Sequence, residues 1–402
     1  MLAKNFGAEA VGTFSIMHSL IEIISMFCLI GLDMYCLRYI SQVKNKKNRS
    51  DLINVFFQTA SKILVLSSCL IALIVFLSSS FISSLLNQNN FQFIMKIIAI
   101  TLLPISFLRF NARFFQAFEL NNIFSFFYLS AIPLFDLIFF TIFYNIGFEI
   151  NVGAISRGFS ILISSTLSFI FLFIIISKKN IGIKFKAFDV SKKLKILNDS
   201  IYYMLSSIFF IIIINLNVLM LSGMTDLVSV GVYSIAVRIA AYLSLFLSTI
   251  YFIYSPKFAK LWGENNITKL KLEYHNSTRA AFIPTIICAI LLILFRNEVL
   301  MIFGQEFSSA SISLCILILS ASISAFLGPV NALLDMTNNQ KIVQKNIFIS
   351  LIINFILNLF LIPRLGIEGA ALSTLIAVLY YHIAGIIFIR NKFKFSNFIF
   401  DS

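Results

Sequence analysis

The chain has 402 residues, of which 59% are hydrophobic and 12% charged, and its formal net charge is +14. Ordinary soluble domains carry about a quarter charged residues, so there is too little polar surface here to cover a water-soluble globule of this length. The 46 Phe exclude a disordered chain on the same grounds, and lipid is the solvent that fits a mean hydropathy of +0.95.

A membrane-spanning helix needs about 20 mostly apolar residues. In lipid only helices and closed barrels satisfy their own backbone groups, and these runs are too long for barrel strands. Eleven spans are predicted, near 11–35, 53–81, 92–112, 122–146, 153–177, 199–222, 229–255, 280–302, 308–333, 346–363 and 367–389. The links alternate in charge. The first carries Arg38, Lys44, Lys46, Lys47 and Arg49, and the third Arg109 and Arg113. The fifth carries Lys178, Lys179, Lys184, Lys186, Lys192, Lys193 and Lys195. The seventh carries Lys257, Lys260, Lys269, Lys271 and Arg279, the ninth Lys341 and Lys345, and the tail Arg390, Lys392 and Lys394. These hold 24 of the 31 basic residues. The links between them hold few, with Arg296 set against Glu298 and Glu306 in the eighth, and Arg364 in the tenth.

This alternation marks the basic side, and the C-terminus with it, as cytoplasmic. It explains the +14 as an orientation signal without nucleic acid. Cys28, Cys36, Cys69, Cys288 and Cys315 all fall in apolar stretches without a metal-binding spacing, and read as small apolar groups. The start, Met1 to Gly12, lacks the charged and apolar regions of a cleavable signal.

Weak self-similarity runs through the chain. Gly12-Thr13-Phe14-Ser15 resembles Gly231-Val232-Tyr233-Ser234, Asn121-Asn122 resembles Asn338-Asn339, and Gly153-Ala154 resembles Gly369-Ala370. The offsets are nearly equal, as in transporters built from duplicated halves. They put the counterpart of the 199–222 helix before residue 1. The expected layout is an N-terminal lobe of five visible helices over 1–177, a basic linker over 178–198, a six-helix lobe over 199–390 and a tail over 391–402. Halves of six helices share one orientation, so the pseudo-twofold axis is expected along the membrane normal.

Polar groups inside spans are costly and face a partner or a wet cavity. Ser15, His18, Glu22, Ser25 and Asp33 fall near one face of the first helix at 100° per residue. Ser234, Arg238 and Tyr242 stand at similar depth in the second half. They predict either a cavity with an acidic and a basic group, Glu22 and Arg238, or a structural ion pair. Asp33 is expected to pair with Arg38 near the cytoplasmic end, with coupling-ion binding as the alternative. Asp136, three residues after Pro133, marks a kinked, hydrated spot. Lys62 either reaches a lumen or snorkels to headgroups, and Lys96 and Arg157 are expected to snorkel at outer helix ends. His275 is expected in a loop and His382 in packing. The stretch 256–279, with Lys257, Lys260, Trp262, Lys269 and Lys271, reads as amphipathic and surface-lying. No nucleotide, zinc-hydrolase or serine-hydrolase motif is present, and no cofactor is expected.

Phe6-Gly7, Gly12 through Ser15, Gly31-Leu32-Asp33, Arg38, Gly231-Val232-Tyr233-Ser234, Arg238, Pro256 and Gly366-Ile367-Glu368-Gly369-Ala370-Ala371 follow one another in an order that resembles the polysaccharide-export branch of the multidrug/oligosaccharidyl-lipid/polysaccharide exporter superfamily. The nearest likeness is to O-antigen type lipid-linked oligosaccharide flippases. The resemblance implies an all-α, twelve-helix, two-lobed exporter fold, of which this sequence shows eleven helices and lacks the first. It implies flipping of an undecaprenyl-pyrophosphate-linked glycan across the bacterial inner membrane by alternating access. Arg238 and Lys62 are the expected pyrophosphate partners, with Glu22, His18 and Tyr242 also lining the substrate site. Asp33, Asp136 and Glu22 are the expected proton or sodium coupling groups. Membrane lipids and a glycan polymerase are expected partners. A multidrug exporter of the same fold and a membrane glycan polymerase are the alternatives. The outer links are too short and too poor in charge for the catalytic loop a polymerase needs.

Overall fold

The computed structural model describes residues 1–43, 49–85, 91–148, 151–178 and 190–394. Of the expected basic groups, Lys44, Lys46, Lys47, Lys179, Lys184 and Lys186 lie outside the described residues, as do most of the linker 178–198 and the tail beyond 394. Among the described residues the structure is helical and contains no strand.

The first eight helices are α1 (Leu2–Leu29), α2 (Leu32–Val43), α3 (Arg49–Leu77), α4 (Ser79–Leu85), α5 (Phe91–Ala117), α6 (Asn121–Ser125), α7 (Ala131–Asn145) and α8 (Val152–Lys178). A π turn, Phe126–Ser130, joins α6 to α7. The next eight are α9 (Val190–Met224), α10 (Leu227–Gly263), α11 (Ile267–Leu294), α12 (Arg296–Met301), α13 (Ser311–Leu327), α14 (Val330–Met336), α15 (Gln340–Leu365) and α16 (Ile367–Phe393). Ten helical segments among the described residues are long and apolar enough to cross a membrane. The eleventh expected span falls in α9, which begins at Val190, inside the expected linker.

Two expected spans are broken by glycine. The span at 11–35 ends at Leu29, and Ile30 and Gly31 take φ of 49° and 73° before α2 begins. At Gly31 a Cβ would lie 2.2 Å from the Ser200 carbonyl oxygen, so α9 sits directly on that bend. The span at 308–333 ends at Leu327, where Gly328 takes a φ of 80° ahead of Pro329 and the short helix α14. A side chain fits neither backbone.

The chain divides into two compact units, Met17–Ile212 and Met1–Ile16 with Ile213–Ser402. In the Met17–Ile212 unit the core is aromatic. Phe56 lies 4.8 Å from Tyr39 and 6.3 Å from Phe110, and Phe57 lies 5.9 Å from Phe114, ring centre to ring centre. The outward face is also apolar, as lipid requires, with Leu66, Leu70, Leu73 and Leu77 of α3 exposed at helical spacing. Lipid gives no hydrophobic drive for helices to associate, so close packing of small side chains takes that role. On α8, Ser156, Ser160, Ser164 and Ser168 recur every fourth residue and are all buried.

In the other unit the same role falls to Gly12 of α1 and Gly231 of α10. A Cβ on Gly12 would lie 2.1 Å from the Leu227 carbonyl oxygen, and one on Gly231 would lie 1.9 Å from that of Ala8. Gly7, with φ 75° and ψ −174°, breaks α1 five residues earlier, and Glu306 accepts the hydrogen bond of the Ala8 N–H there. Asp226 caps α10 by accepting from Ser229 N at 2.8 Å, which holds its carboxyl below the usual range.

The stretch 256–279 is two-faced as expected, with Lys257, Lys260 and Lys269 exposed and Phe258, Leu270 and Tyr274 buried, but it is not a separate segment. It is the continuation of α10 to Gly263 and of α11 from Ile267, joined by three residues. Phe258, Leu270 and Tyr274 bury into the core of the unit, and Trp262 meets the Phe393 ring edge-on at 5.6 Å. His275, expected in a loop, is buried on α11. The mix of basic and apolar residues reflects two long helices with one face packed.

Candidate functional site

Within the Met17–Ile212 unit, α1 presents His18, Glu22 and Ser25 at spacings of four and three, which brings them to one face. Three other helices meet that face with charge. Arg109 of α5 donates from Nη1 to Ser25 Oγ at 2.8 Å and from Nη2 to Glu22 Oε1. Ser25 Oγ in turn donates to the Glu22 carbonyl oxygen at 3.0 Å. Arg157 of α8 donates from Nη1 to Asp136 Oδ2 of α7, and Ser160 Oγ donates to the other oxygen of the same carboxylate. Arg157 Nη2 lies 2.8 Å from His18 Nδ1. The two ion pairs are thus joined through α1 into one network of two arginines, two carboxylates and one imidazole.

The two arginine and two carboxylate side chains of this network are 11–25% exposed. They are therefore largely withdrawn from bulk solvent yet reachable. A buried ion pair gains little net stability, because desolvation offsets the Coulomb attraction. Its expense inside an apolar helix bundle points to use rather than to stability.

The residues predicted from sequence separate into groups. His18, Glu22 and Asp136 come together in this network. Asp33, on the first turn of α2 in the same unit, is buried, and its Oδ1 has no hydrogen-bond partner. Arg38, its expected partner, is exposed on α2. Lys62 is exposed on α3. Arg238 and Tyr242 lie in the other unit, on α10. Both are exposed and stand one turn apart, with the Arg238 guanidinium 5.8 Å from the Phe14 ring centre.

Three readings are corrected. Glu22 takes Arg109 as its ion partner. Asp136, expected at a kinked, hydrated spot, holds Arg157. Arg157 does not snorkel at a helix end, since its residue is only 9% exposed. Arg109, expected in the third link with Arg113, lies inside α5. The signal that could have placed Arg157 inward is the serine stripe of α8, since Arg157 stands beside Ser156 and Ser160 on the face that is small and polar.

The other unit holds a neutral polar cluster. Asn217 of α9 donates to Tyr233 OH at 2.8 Å, to Thr374 Oγ1 at 2.5 Å and to the Ala370 carbonyl oxygen at 3.4 Å. Its Oδ1 accepts from Asn358 Nδ2 at 2.7 Å, and the same nitrogen reaches Asn354 Oδ1 at 3.0 Å. Asn217 and Asn358 thereby join α9, α10, α15 and α16.

The family described as Polysaccharide biosynthesis protein matches residues 1–262, and the MatE family matches residues 203–360. A probable low-salt glycan biosynthesis flippase, Agl15, of Haloferax volcanii is 27% identical over 173 residues, which is 42% of this chain and 36% of the relative. The match therefore spans about a third of that flippase. An uncharacterized membrane protein of Methanocaldococcus jannaschii is 23% identical over 383 residues, 90% of this chain and 74% of the relative. Among solved structures, an inward-facing MATE family multidrug transporter of the MOP superfamily superposes with a TM-score of 0.72 at 15% identity, covering 96% of this chain and 90% of that one. The lipid II flippase MurJ, in an inward closed conformation, gives 0.71 at 15% identity over 96% and 86%. The fold is that of these transporters, and with its first 262 residues under the family pattern the chain belongs to the Polysaccharide biosynthesis protein family.

Proposed function

We propose that this chain is a flippase that moves a lipid-linked oligosaccharide across a membrane, and that its cargo is an undecaprenyl-pyrophosphate-linked repeat unit of the O-antigen type. The observation that carries this reading is the pair Arg109 and Arg157, each held by one carboxylate inside spanning helices. A guanidinium fork fits carboxylate and phosphate oxygens equally well, so a pyrophosphate can take the place of Glu22 or Asp136. Exchange of one anion for another keeps the arginine paired throughout, which lowers the cost of carrying a charged head through an apolar bundle.

Arg238, Lys62 and Tyr242 are further substrate contacts in this reading, and Asp33, Asp136 and Glu22 are the groups that couple movement to protons or sodium. The two lobes rock in alternating access. The membrane is the bacterial inner membrane, with the basic links and the C-terminus on the cytoplasmic side. The glycan flippase of Haloferax volcanii supports the cargo class. A glycan polymerase receives the flipped unit.

The test is complementation of a flippase-null strain, scored by surface glycan at equal protein level. Ala at Arg109, Arg157 or Arg238 is expected to abolish the glycan ladder, and Lys to retain part of it. A full ladder from all three Ala variants overturns the assignment. The second reading is a cation exporter of the same fold, favoured by the MatE match over residues 203–360. Energy-dependent extrusion of a cationic dye by a chain that fails complementation selects it.

A further inference from the structure

The contact between His18 and Arg157 suits one tautomer of the neutral imidazole. Arg157 Nη2 and His18 Nδ1 are 2.8 Å apart. A guanidinium only donates, so Nδ1 is the acceptor and the ring proton is on Nε2. A second proton on Nδ1 would set two cationic donors against each other at that distance. Protonated His18 must therefore leave Arg157. Its nearest carboxylate on its own helix is Glu22, one turn along α1 and at present bonded to Arg109 of α5. Asp136 of α7 stands behind Arg157 of α8, with Ser160 on its other oxygen. Arg157, Glu22, Arg109 and Asp136 are the charged groups that the described contacts of this unit place around His18.

We propose that His18 is a proton-operated switch for this network. When neutral, it holds Arg157 as a hydrogen-bond acceptor, and the network of two arginines and two carboxylates sums to zero. When it takes a proton from water on Nδ1, it turns to Glu22 and competes there with Arg109. Both arginines then lose one acceptor, and the network carries +1. Arg157 keeps Asp136 and Arg109 keeps Ser25, and the N–H group that each has freed can take an oxygen of an anion. Loss of the proton to water restores the His18–Arg157 bond and expels the anion. His18 is a positioning residue in this scheme, since it acts on the anion through Arg157 and Arg109. The inference rests on the reading of the network as a phosphate site, and it supplies that site with a proton as its regulator.

The chain has three His, which makes the test direct. Histidine labelled with nitrogen-15 is observed in the full protein in lipid nanodiscs, with His18→Gln identifying the His18 signals. At about pH 8 the expected tautomer carries its proton on Nε2, and acidification toward about pH 5 yields the doubly protonated ring. In Arg157→Gln the fixed tautomer is expected to give way to a mixture. A proton on Nδ1 at the higher pH, or an unchanged tautomer in Arg157→Gln, overturns the switch.

The second measurement is flipping of a fluorescent undecaprenyl-pyrophosphate-linked oligosaccharide in proteoliposomes. An imposed pH difference is expected to change the wild-type rate several-fold and the His18→Gln rate less than twofold. Equal responses in both proteins overturn the switch alone. Absence of flipping by the wild type, with the Nε2 tautomer as stated, overturns the phosphate-site reading and supports the switch as a property of the network.

Discussion

Arg109 and Glu22 are 87 residues apart in the chain and share one hydrogen-bonded ion pair that ties α5 to α1, with Ser25 as a second acceptor for the same guanidinium. Removal of one partner leaves the other charge without compensation at low exposure, which costs about 3 kcal/mol in such pairs. Glu22→Ala and Arg109→Ala are each expected to lower thermal stability in detergent by that order. The double variant Glu22→Leu with Arg109→Leu is expected to recover most of the loss, because no charge then remains buried. The check is a double-mutant cycle on unfolding midpoints. A coupling below about 0.5 kcal/mol shows that the two side chains do not support each other.

Among the described glycines, Gly12 and Gly231 form the closest approach to a neighbouring helix backbone, with carbonyl oxygens 2.1 and 1.9 Å from where a Cβ would sit. Ala at either position must push α1 and α10 apart. Gly223 and Gly263 have nothing within 4 Å of a Cβ and sit near helix ends. Gly12→Ala and Gly231→Ala are expected to reduce the yield of monodisperse protein severely. Gly223→Ala is expected to be neutral or to stabilise by up to about 1 kcal/mol through helix propensity. Size-exclusion profiles at equal expression decide this. Equal profiles for Gly231→Ala and Gly223→Ala show that the contact is not needed.

Much of the fold was legible because lipid leaves few options. A run of 20 apolar residues must be a helix, and the expected spans match helices in order. The misplaced features share one cause. Hydropathy senses the apolar layer but not where a helix bends or ends. The breaks at Gly31 and Gly328 depend on what packs against each glycine, Ser200 and Met204 in one case and Thr278 in the other. The run of α10 to Gly263 and of α11 from Ile267 depends on Phe258, Leu270 and Tyr274 packing in one core. The site was half legible for a similar reason. The spacing of His18, Glu22 and Ser25 gives one face of α1 directly. Which arginine meets that face is a fact of tertiary packing, and Arg238 of α10 was as plausible as Arg109 until α5 and α8 were in place.

The amide cluster around Asn217 allows a ranking. Hydrogen bonds between membrane helices average about 0.6 kcal/mol each, because the unfolded reference also finds partners. Asn217 makes bonds to Tyr233, Thr374, Ala370 and Asn358, whereas Asn354 accepts one from Asn358. Asn217→Ala is expected to cost about 2 kcal/mol and Asn354→Ala about 0.6 kcal/mol. Thermal unfolding in one detergent checks the order, and an Asn354→Ala loss equal to or above that of Asn217→Ala contradicts it.

Arg113 offers the last test, and it concerns the π turn at Phe126–Ser130. Its guanidinium lies 4.5 Å from the Tyr128 ring centre and 5.5 Å from that of Phe124. It also donates to Tyr128 OH at 3.1 Å and to Gln116 Oε1 at 2.8 Å. One side chain of α5 therefore grips both the turn and the helix that leads into it. A π turn has poorer hydrogen-bond geometry than an α-helix and persists where its surroundings hold it. Cation–π contacts contribute about 0.5–2 kcal/mol according to exposure. Arg113→Ala is expected to speed amide exchange over residues 121–131 several-fold while α3 and α8 keep their protection. Arg113→Lys is expected to fall between, since an ammonium retains the ring contact but cannot reach Tyr128 and Gln116 with one rigid fork. Unchanged exchange in Arg113→Ala shows that the turn is held by the ring contact of Phe127 with Phe115, 5.6 Å between centres, and not by the arginine.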